Sequence, residues 1–134
     1  AELEPYAMDS PGRLRLSGKT VRLGSAQAVA LGLVINELAT NALKYGALSN
    51  SHGQLDVKWR MEPDHLLLTW RESDGPRTRA AAIENFGSRL LRRLVEGQLK
   101  GSLRREINDE GVTCIVEFPV SPLASGRERE QREV

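Results

Sequence analysis

The spacing of apolar and polar residues changes character several times along the chain, and each change marks a predicted element. Residues 13–16 alternate basic and apolar, Gly18 breaks the alternation, and Val21 and Leu23 resume it, the pattern of two short strands or extended segments. Gly24 and Ser25 punctuate the chain before a proline-free stretch in which Leu31, Val34, Ile35, Leu38 and Ala42 gather on one face. That spacing predicts a helix over residues 26–45, with Ser25 as its N-cap and Gly46 as its C-cap.

From Gln54 the period drops to two. Leu55, Val57, Trp59 and Met61 point one way while Asp56, Lys58 and Arg60 point the other, as in a half-buried strand. Residues 62–65 read as a turn, and 66–71 alternate again with Leu66, Leu68 and Trp70 on one side, completing a hairpin. Residues 73–85, with Gly75 and Pro76, form an irregular connection longer than most loops in a compact domain, which makes it a candidate for function. A second helix is predicted over 88–98 with Leu91, Leu94 and Val95 inward. A last hairpin follows over 103–107 and 112–118, turning at 108–111 and ended by Pro119.

The order is strand pair, helix, hairpin, long loop, helix, hairpin. It packs most economically as a two-layer α/β sandwich, a mixed sheet with its helices on one face. No internal repeat is visible. From Ser121 the tail is Pro, Gly and alternating Arg and Glu, which predicts a disordered charged segment over 121–134.

Composition narrows the function classes. The 134 residues fit one domain, and 40% hydrophobic with 28% charged residues is enough apolar material for a core. Nineteen Lys and Arg against eighteen Asp and Glu leave a net charge of +1, without the basic excess of a nucleic-acid binder. Aromatics, at 4%, are too few for a base-stacking ladder. The single Cys114, alternating inward on the last strand, reads as a core residue in a reducing, cytoplasmic setting. The most apolar stretch, 28–35, is interrupted by Gly32 and reads as too short to span a bilayer. Glu2, Glu4 and Pro5 stand where an export signal needs a basic start and an apolar middle, and the absence of an initial Met reads as a fragment of something longer.

Three groups of residues carry candidate chemistry. On the first helix Glu37, Asn41 and Lys44 or Tyr45 recur every three or four residues, forming a polar stripe beside the apolar face. An amide oxygen there suits Mg²⁺ shared with phosphates and Lys44 suits phosphate charge, although an ordinary solvated helix face has the same spacing. Glu72-Ser73-Asp74-Gly75-Pro76 places acidic side chains at a strand end, where they accept from an exocyclic amine such as that of adenine; Asp-Gly-Pro is also a common turn. Asn85-Phe86-Gly87-Ser88-Arg89 is a small-residue turn opening a helix, suited to an anion or simply to an N-cap at Ser88. His52 and His65 fall in a loop and a turn and read as surface residues.

Taken together, these groups are similar to a known family. The run Asn36-Glu37-Leu38-Ala39-Thr40-Asn41-Ala42-Leu43-Lys44-Tyr45-Gly46-Ala47-Leu48-Ser49 resembles the N box of sensor histidine kinases, with wording nearest the HWE family. Trp70-Arg71-Glu72, Gly75-Pro76 and Phe86-Gly87-Ser88-Arg89-Leu90-Leu91 resemble that family's later motifs in order. Three positions depart from the pattern: Asn36 stands for the family's His, Asn85 for the first glycine of Gly-Phe-Gly, and Asp74 for a glycine before Gly75.

The resemblance implies the Bergerat ATP-binding fold and, as cofactors, ATP and Mg²⁺. It implies that Asn41 binds the metal, that Glu37 assists proton removal from the acceptor, and that Lys44 and Tyr45 lie near the phosphates. Glu72 then meets the adenine amine, with Asp74 the second candidate; Gly75 also lies at the nucleotide, and the turn around Gly87, with Phe86, Ser88 and Arg89, supports the triphosphate. Residues between Gly75 and Phe86 form a mobile lid, with Arg77 or Arg79 reaching phosphate. The implied partners are the protein's own helical dimerisation domain, whose phosphoacceptor His this chain lacks, and a response regulator, in a homo-oligomeric, cytoplasmic protein whose ATP-binding domain touches neither nucleic acid nor membrane. On this reading residues 1–12 end a linker and 13–120 form the catalytic domain. The alternative is a degenerate, non-catalytic module for nucleotide sensing or protein interaction.

Overall fold

The computed structural model describes residues 13–76 and 88–120 and the backbone of residues 2–3; of Ser88 it describes the backbone. In chain order the elements are β1 (Glu2–Leu3), β2 (Leu14–Ser17), β3 (Val21–Arg22), α1 (Ser25–Lys44), β4 (Gln54–Met61), β5 (His65–Ser73), α2 (Ser88–Arg92), β6 (Ser102–Asn108) and β7 (Gly111–Pro119). The chain from Arg93 to Gln98 continues α2 as a π-helical segment, closed by the Leu99 N–H donating to Leu94 O at 2.9 Å.

Five strands form one sheet in the order β2-β4-β5-β7-β6, with β2 parallel to β4 and every other pair antiparallel. Alternation gives the sheet two unlike faces. Leu55, Val57 and Trp59 of β4, Leu66, Leu68 and Trp70 of β5, and Val112, Cys114, Val116 and Phe118 of β7 turn inward and are buried. Lys58, Arg60 and Arg71 alternate with them and are exposed. The helices close the inner face with Ala30, Leu31, Val34, Leu38 and Ala42 from α1 and Leu91, Leu94, Val95 and Leu99 from the second helical segment, all in one core. The α/β sandwich read from the sequence is the architecture found.

Four local expectations change. The predicted strand pair does not pair with itself: β2 joins the sheet beside β4, and β3 pairs with β1 through Glu2↔Arg22 and Leu3↔Val21. Trp59 occupies the turn between β2 and β3: its ring packs so closely on Gly18 that a Cβ there would overlap it, and its indole N–H donates to Lys19 O at 2.8 Å. Ser25 is the first helical residue, not the cap; Gly24 occupies that place without a side-chain bond. Gly46 follows the C-cap Tyr45, and its N–H reaches Asn41 O and Ala42 O, both at 3.1 Å. Finally, the apolar stretch is longer than residues 28–35: by length and composition alone α1 reaches the span of a membrane helix, and its Ala30, Leu31, Val34, Leu38 and Ala42 pack in the core.

Candidate functional site

The end of α1 and the end of β5 meet, and the junction is built of backbone. After Tyr45 the chain turns through residues 46–53, tied by Leu48 N–H to Ala42 O at 3.1 Å and Ser49 N–H to Gly46 O at 3.0 Å. Glu72 lies opposite. Because it is two residues beyond Trp70 it shares the inner face of β5, and it is the buried charged residue among those described, 7% exposed. Its Oε1 accepts the Ala47 N–H at 2.9 Å and its Oε2 accepts the Trp70 indole N–H at 2.9 Å. The Trp-x-Glu spacing therefore has a physical meaning: the tryptophan holds the carboxylate. A carboxylate has about four acceptor sites, so two protein donors leave room for an incoming amine.

Small residues permit this approach. A Cβ on Gly46 would overlap Glu72 Oε1 and stand 3.1 Å from Ala42 Cα. A Cβ on Gly75 would stand 2.7 Å from Ala47 Cα and 2.9 Å from Ala47 N. Asp74, exposed, adopts φ 57°, the left-handed conformation that explains why a glycine suits this position and why Asp, which tolerates it better than most, can replace one. A shallow cleft opens at this end of the sheet, lined by Ala47, Glu72, Gly75, Pro76, Glu110 and Val112.

On α1, Glu37 and Asn41 are half-buried, Tyr45 is half-buried just past the helix, and Lys44 is exposed. Asn36 is exposed, with its carbonyl accepting Thr40 Oγ1 at 2.8 Å, off the face that carries Glu37 and Asn41. Asn41 Nδ2 is buried and has no hydrogen-bond partner among the described residues. Asp56 Oδ1 on β4 is left in the same way; the Asn41 amide nitrogen calls for an acceptor, and its oxygen is the kind of hard donor Mg²⁺ takes. Among the described residues no group of three or more His, Cys, Asp or Glu side chains could hold a metal.

Of the other predicted residues, Arg89 is exposed in the first turn of α2. Phe86 and Gly87, with Arg77, Arg79 and Asn85, lie outside the described residues, as do the tail from 121 and most of residues 1–12. Sequence reasoning missed Arg13 and Gly53, which frame the acidic strand end, read Gly46 as a C-cap and Ala47 as part of the N-box run, and set Trp70 inward on its strand without linking it to Glu72. The signal for Trp70 was present, since strand parity places residues 70 and 72 on one face.

Cys114 is fully buried; burial pushes its thiol up and the facing Arg105 opposes this, so it is a core residue as expected. His65 lies at the far end of β5, its Nδ1 2.7 Å from Asp64 Oδ1 and its Nε2 3.1 Å from Glu117 Oε1. The Asp64 hydrogen bond, with Glu117 and Glu62 nearby, raises its pKa above 6.5. Only the protonated ring donates from both nitrogens, so the stabilisation is complete below pH 6.5 and is lost as pH rises through the higher folded-state value. Thermal denaturation of the wild type against His65→Asn is expected to show a modest gap at pH 5.5–6 that closes at pH 8.5; parallel profiles would remove the imidazolium's role.

No protein-family model matches the chain. The chain is homologous to the blue-light-activated histidine kinases: it is 33% identical over 121 residues to blue-light-activated histidine kinase 1 of Erythrobacter litoralis (strain HTCC2594), an alignment covering 88% of this chain and 33% of that protein. It spans a quarter to a third of the length of the curated relatives it matches. The solved histidine kinase domain of Erythrobacter litoralis EL346 superposes with a TM-score of 0.69 at 25% identity, covering 80% of this chain and 51% of that one. The catalytic domain of histidine kinase ThkA superposes with a TM-score of 0.63 at 17% identity, over 83% of this chain and 80% of that one, a likeness of fold. ThkA is also known in complex with the response regulator protein TrrA.

Proposed function

We propose that this homologue of the blue-light-activated histidine kinases binds Mg²⁺-ATP across the junction of α1 and β5 and presents the γ-phosphoryl group to a histidine on a helical domain outside the chain. The observation that carries the reading is the buried Glu72 carboxylate, held by the Trp70 indole and the Ala47 peptide just past the end of α1. Glu72 faces the adenine amine, and its inward, held position favours it over the exposed Asp74. Gly75 keeps the turn close to Ala47 and leaves the base edge open. Asn41 holds Mg²⁺ through its amide oxygen, and the ion when bound neutralises charge on the phosphates.

Four residues and one helical turn separate Glu37 from Asn41, about 6 Å along the axis, so Glu37 stands near enough to orient the acceptor imidazole and take its proton. Lys44 and Tyr45 follow a turn later and serve the phosphates, joined by Arg89 in the first turn of α2; Phe86, Gly87 and Ser88 are assigned to the nucleotide by the motif resemblance alone. Positioning and charge stabilisation do most of the work in phosphoryl transfer, and these residues supply both. The full protein would act as a homo-oligomer in the cytoplasm and pass its phosphoryl group to a response regulator, as the family resemblance implies.

Calorimetric titration with a non-hydrolysable ATP analogue, with and without Mg²⁺, tests the site. The wild type is expected to bind more tightly with the metal, and Asn41→Ala to lose that increment while keeping its far-ultraviolet spectrum. Equal affinities with Mg²⁺ would remove Asn41 as the ligand. Supplying the helical partner domain and labelled ATP tests transfer, and acid-labile label on that partner is the expected product.

A further inference from the structure

Arg13 precedes β2, far in sequence from every residue of the site, yet its guanidinium reaches the loop that follows α1 through two of its nitrogens. Its Nε donates to Gly53 O at 3.0 Å, and its Nη2 donates to Asn50 O at 2.6 Å and Ala47 O at 3.2 Å. These three carbonyls belong to residues 47–53, which join α1 to β4 and have no ladder of their own. Asn50 adds to the net by accepting the Gly53 N–H at 2.7 Å and the His52 N–H at 3.1 Å on its Oδ1.

Ala47 is where this net meets the site. Its carbonyl accepts from Arg13, its N–H donates to Glu72 Oε1, and its Cα lies under Gly75. One residue thus connects the guanidinium to the buried carboxylate. A planar fork with several donors suits three carbonyls set in different directions, which a lysine ammonium on a flexible stem meets less well.

We infer that Arg13 is a positioning residue for base recognition, setting the Ala47 peptide and through it the orientation of Glu72 toward the 6-amino group of adenine. This rests on the ATP reading above. Without the guanidinium the loop carbonyls turn to water, Ala47 moves, and Glu72 keeps its Trp70 bond but loses the donor that fixes its rotation. Affinity for an adenine nucleotide falls while affinity for a purine nucleotide without that amine does not.

The experiment uses Arg13→Gln and Arg13→Lys with two readouts. The first needs no nucleotide. The chain has two tryptophans, so its amide correlation spectrum carries two indole signals: Trp70 donates to Glu72 and Trp59 to Lys19 O. Arg13→Gln is expected to shift the Trp70 indole and Ala47 amide signals and spare Trp59, with Arg13→Lys intermediate. The second compares ADP with IDP, which lacks the 6-amino group. Arg13→Gln is expected to weaken ADP about tenfold, equivalent to roughly 1.4 kcal/mol, and to leave IDP unchanged, with partial recovery in Arg13→Lys. Unmoved Trp70 and Ala47 signals, or equal weakening of both nucleotides, overturn the inference. A wild type that binds neither nucleotide overturns the ATP reading instead, and the two signals then still decide whether Arg13 holds Ala47 and Glu72 in register.

Discussion

Glu72→Ala is expected to lose both adenine binding and about 2–5 kcal/mol of folding stability, the largest cost of any single change at this site. The reason is what it leaves behind. The Trp70 indole N–H and the Ala47 N–H both end on this carboxylate, and both residues are only 2% exposed. Each buried donor left without an acceptor costs roughly 1–3 kcal/mol, and the vacated volume adds to the sum. Against the 5–15 kcal/mol typical of a whole domain this is a large fraction.

Glu72→Gln separates the two effects. A carboxamide has one acceptor oxygen and one donor NH₂, so one of the two protein donors keeps its partner while the other faces a second donor. Urea denaturation is expected to rank wild type above Glu72→Gln above Glu72→Ala, with similar slopes for all three. If the two variants matched wild type, the carboxylate would be a passive neighbour of Trp70 and the site would lose its anchor. The double role also sets a limit on tests of function: loss of binding in Glu72→Ala alone does not distinguish base contact from collapse of the strand end, whereas binding by a folded Glu72→Gln does.

The sheet and both helical segments were legible because they obey simple periods. Leu55, Val57 and Trp59 alternate on β4 and are buried, and Leu31, Val34, Leu38 and Ala42 recur at helical spacing and are buried on α1. Where a single side chain overrides the local pattern, reading fails. Nothing in residues 13–23 reveals that Trp59, some 40 residues on, will occupy the turn at Gly18 and Lys19, or that β3 will pair with β1 instead of β2. The π-helical segment is hidden for a related reason: Leu91, Leu94, Val95 and Leu99 fit a helical face on either geometry, and wider-spaced backbone bonds such as Leu99 N–H to Leu94 O distinguish them.

The site divides along the same line. Glu37, Asn41 and Glu72 stood out as candidates from spacing and motif because what singles them out is the chemistry of the side chain. The frame around them did not, because it consists of backbone carbonyls and absent side chains. Arg13 looked like one basic letter in an alternating strand, and its three carbonyl partners lie at least 34 residues away. Ala47 looked inert, yet its peptide is the hinge between Arg13 and Glu72. Sequence names the groups that meet a ligand more readily than the groups that hold them in place.

That frame makes a second large effect, at a residue with no side chain. Gly53→Ala is expected to destabilise the domain by about 2–3 kcal/mol, because the new Cβ falls on the Ala47 carbonyl oxygen and 2.7 Å from Ala47 Cα. Neither partner can yield cheaply. The Gly53 N–H and C=O are both engaged, with Asn50 Oδ1 and Arg13 Nε, and Ala47 is pinned by Glu72, Arg13 and the overlying Gly75. Relief must come from moving Ala47, so the Trp70 indole signal is expected to shift in Gly53→Ala as it is expected to in Arg13→Gln. Gly32→Ala is the control: on the exposed side of α1 its Cβ meets nothing within 4 Å, and the better helix former is expected to add about 0.5–1 kcal/mol. Urea midpoints that move in opposite directions for the two alanines fit a loop that is locked by backbone packing. A neutral Gly53→Ala would mean that residues 47–53 can rearrange at little cost, and the route from Arg13 to Glu72 would then be too soft to position anything.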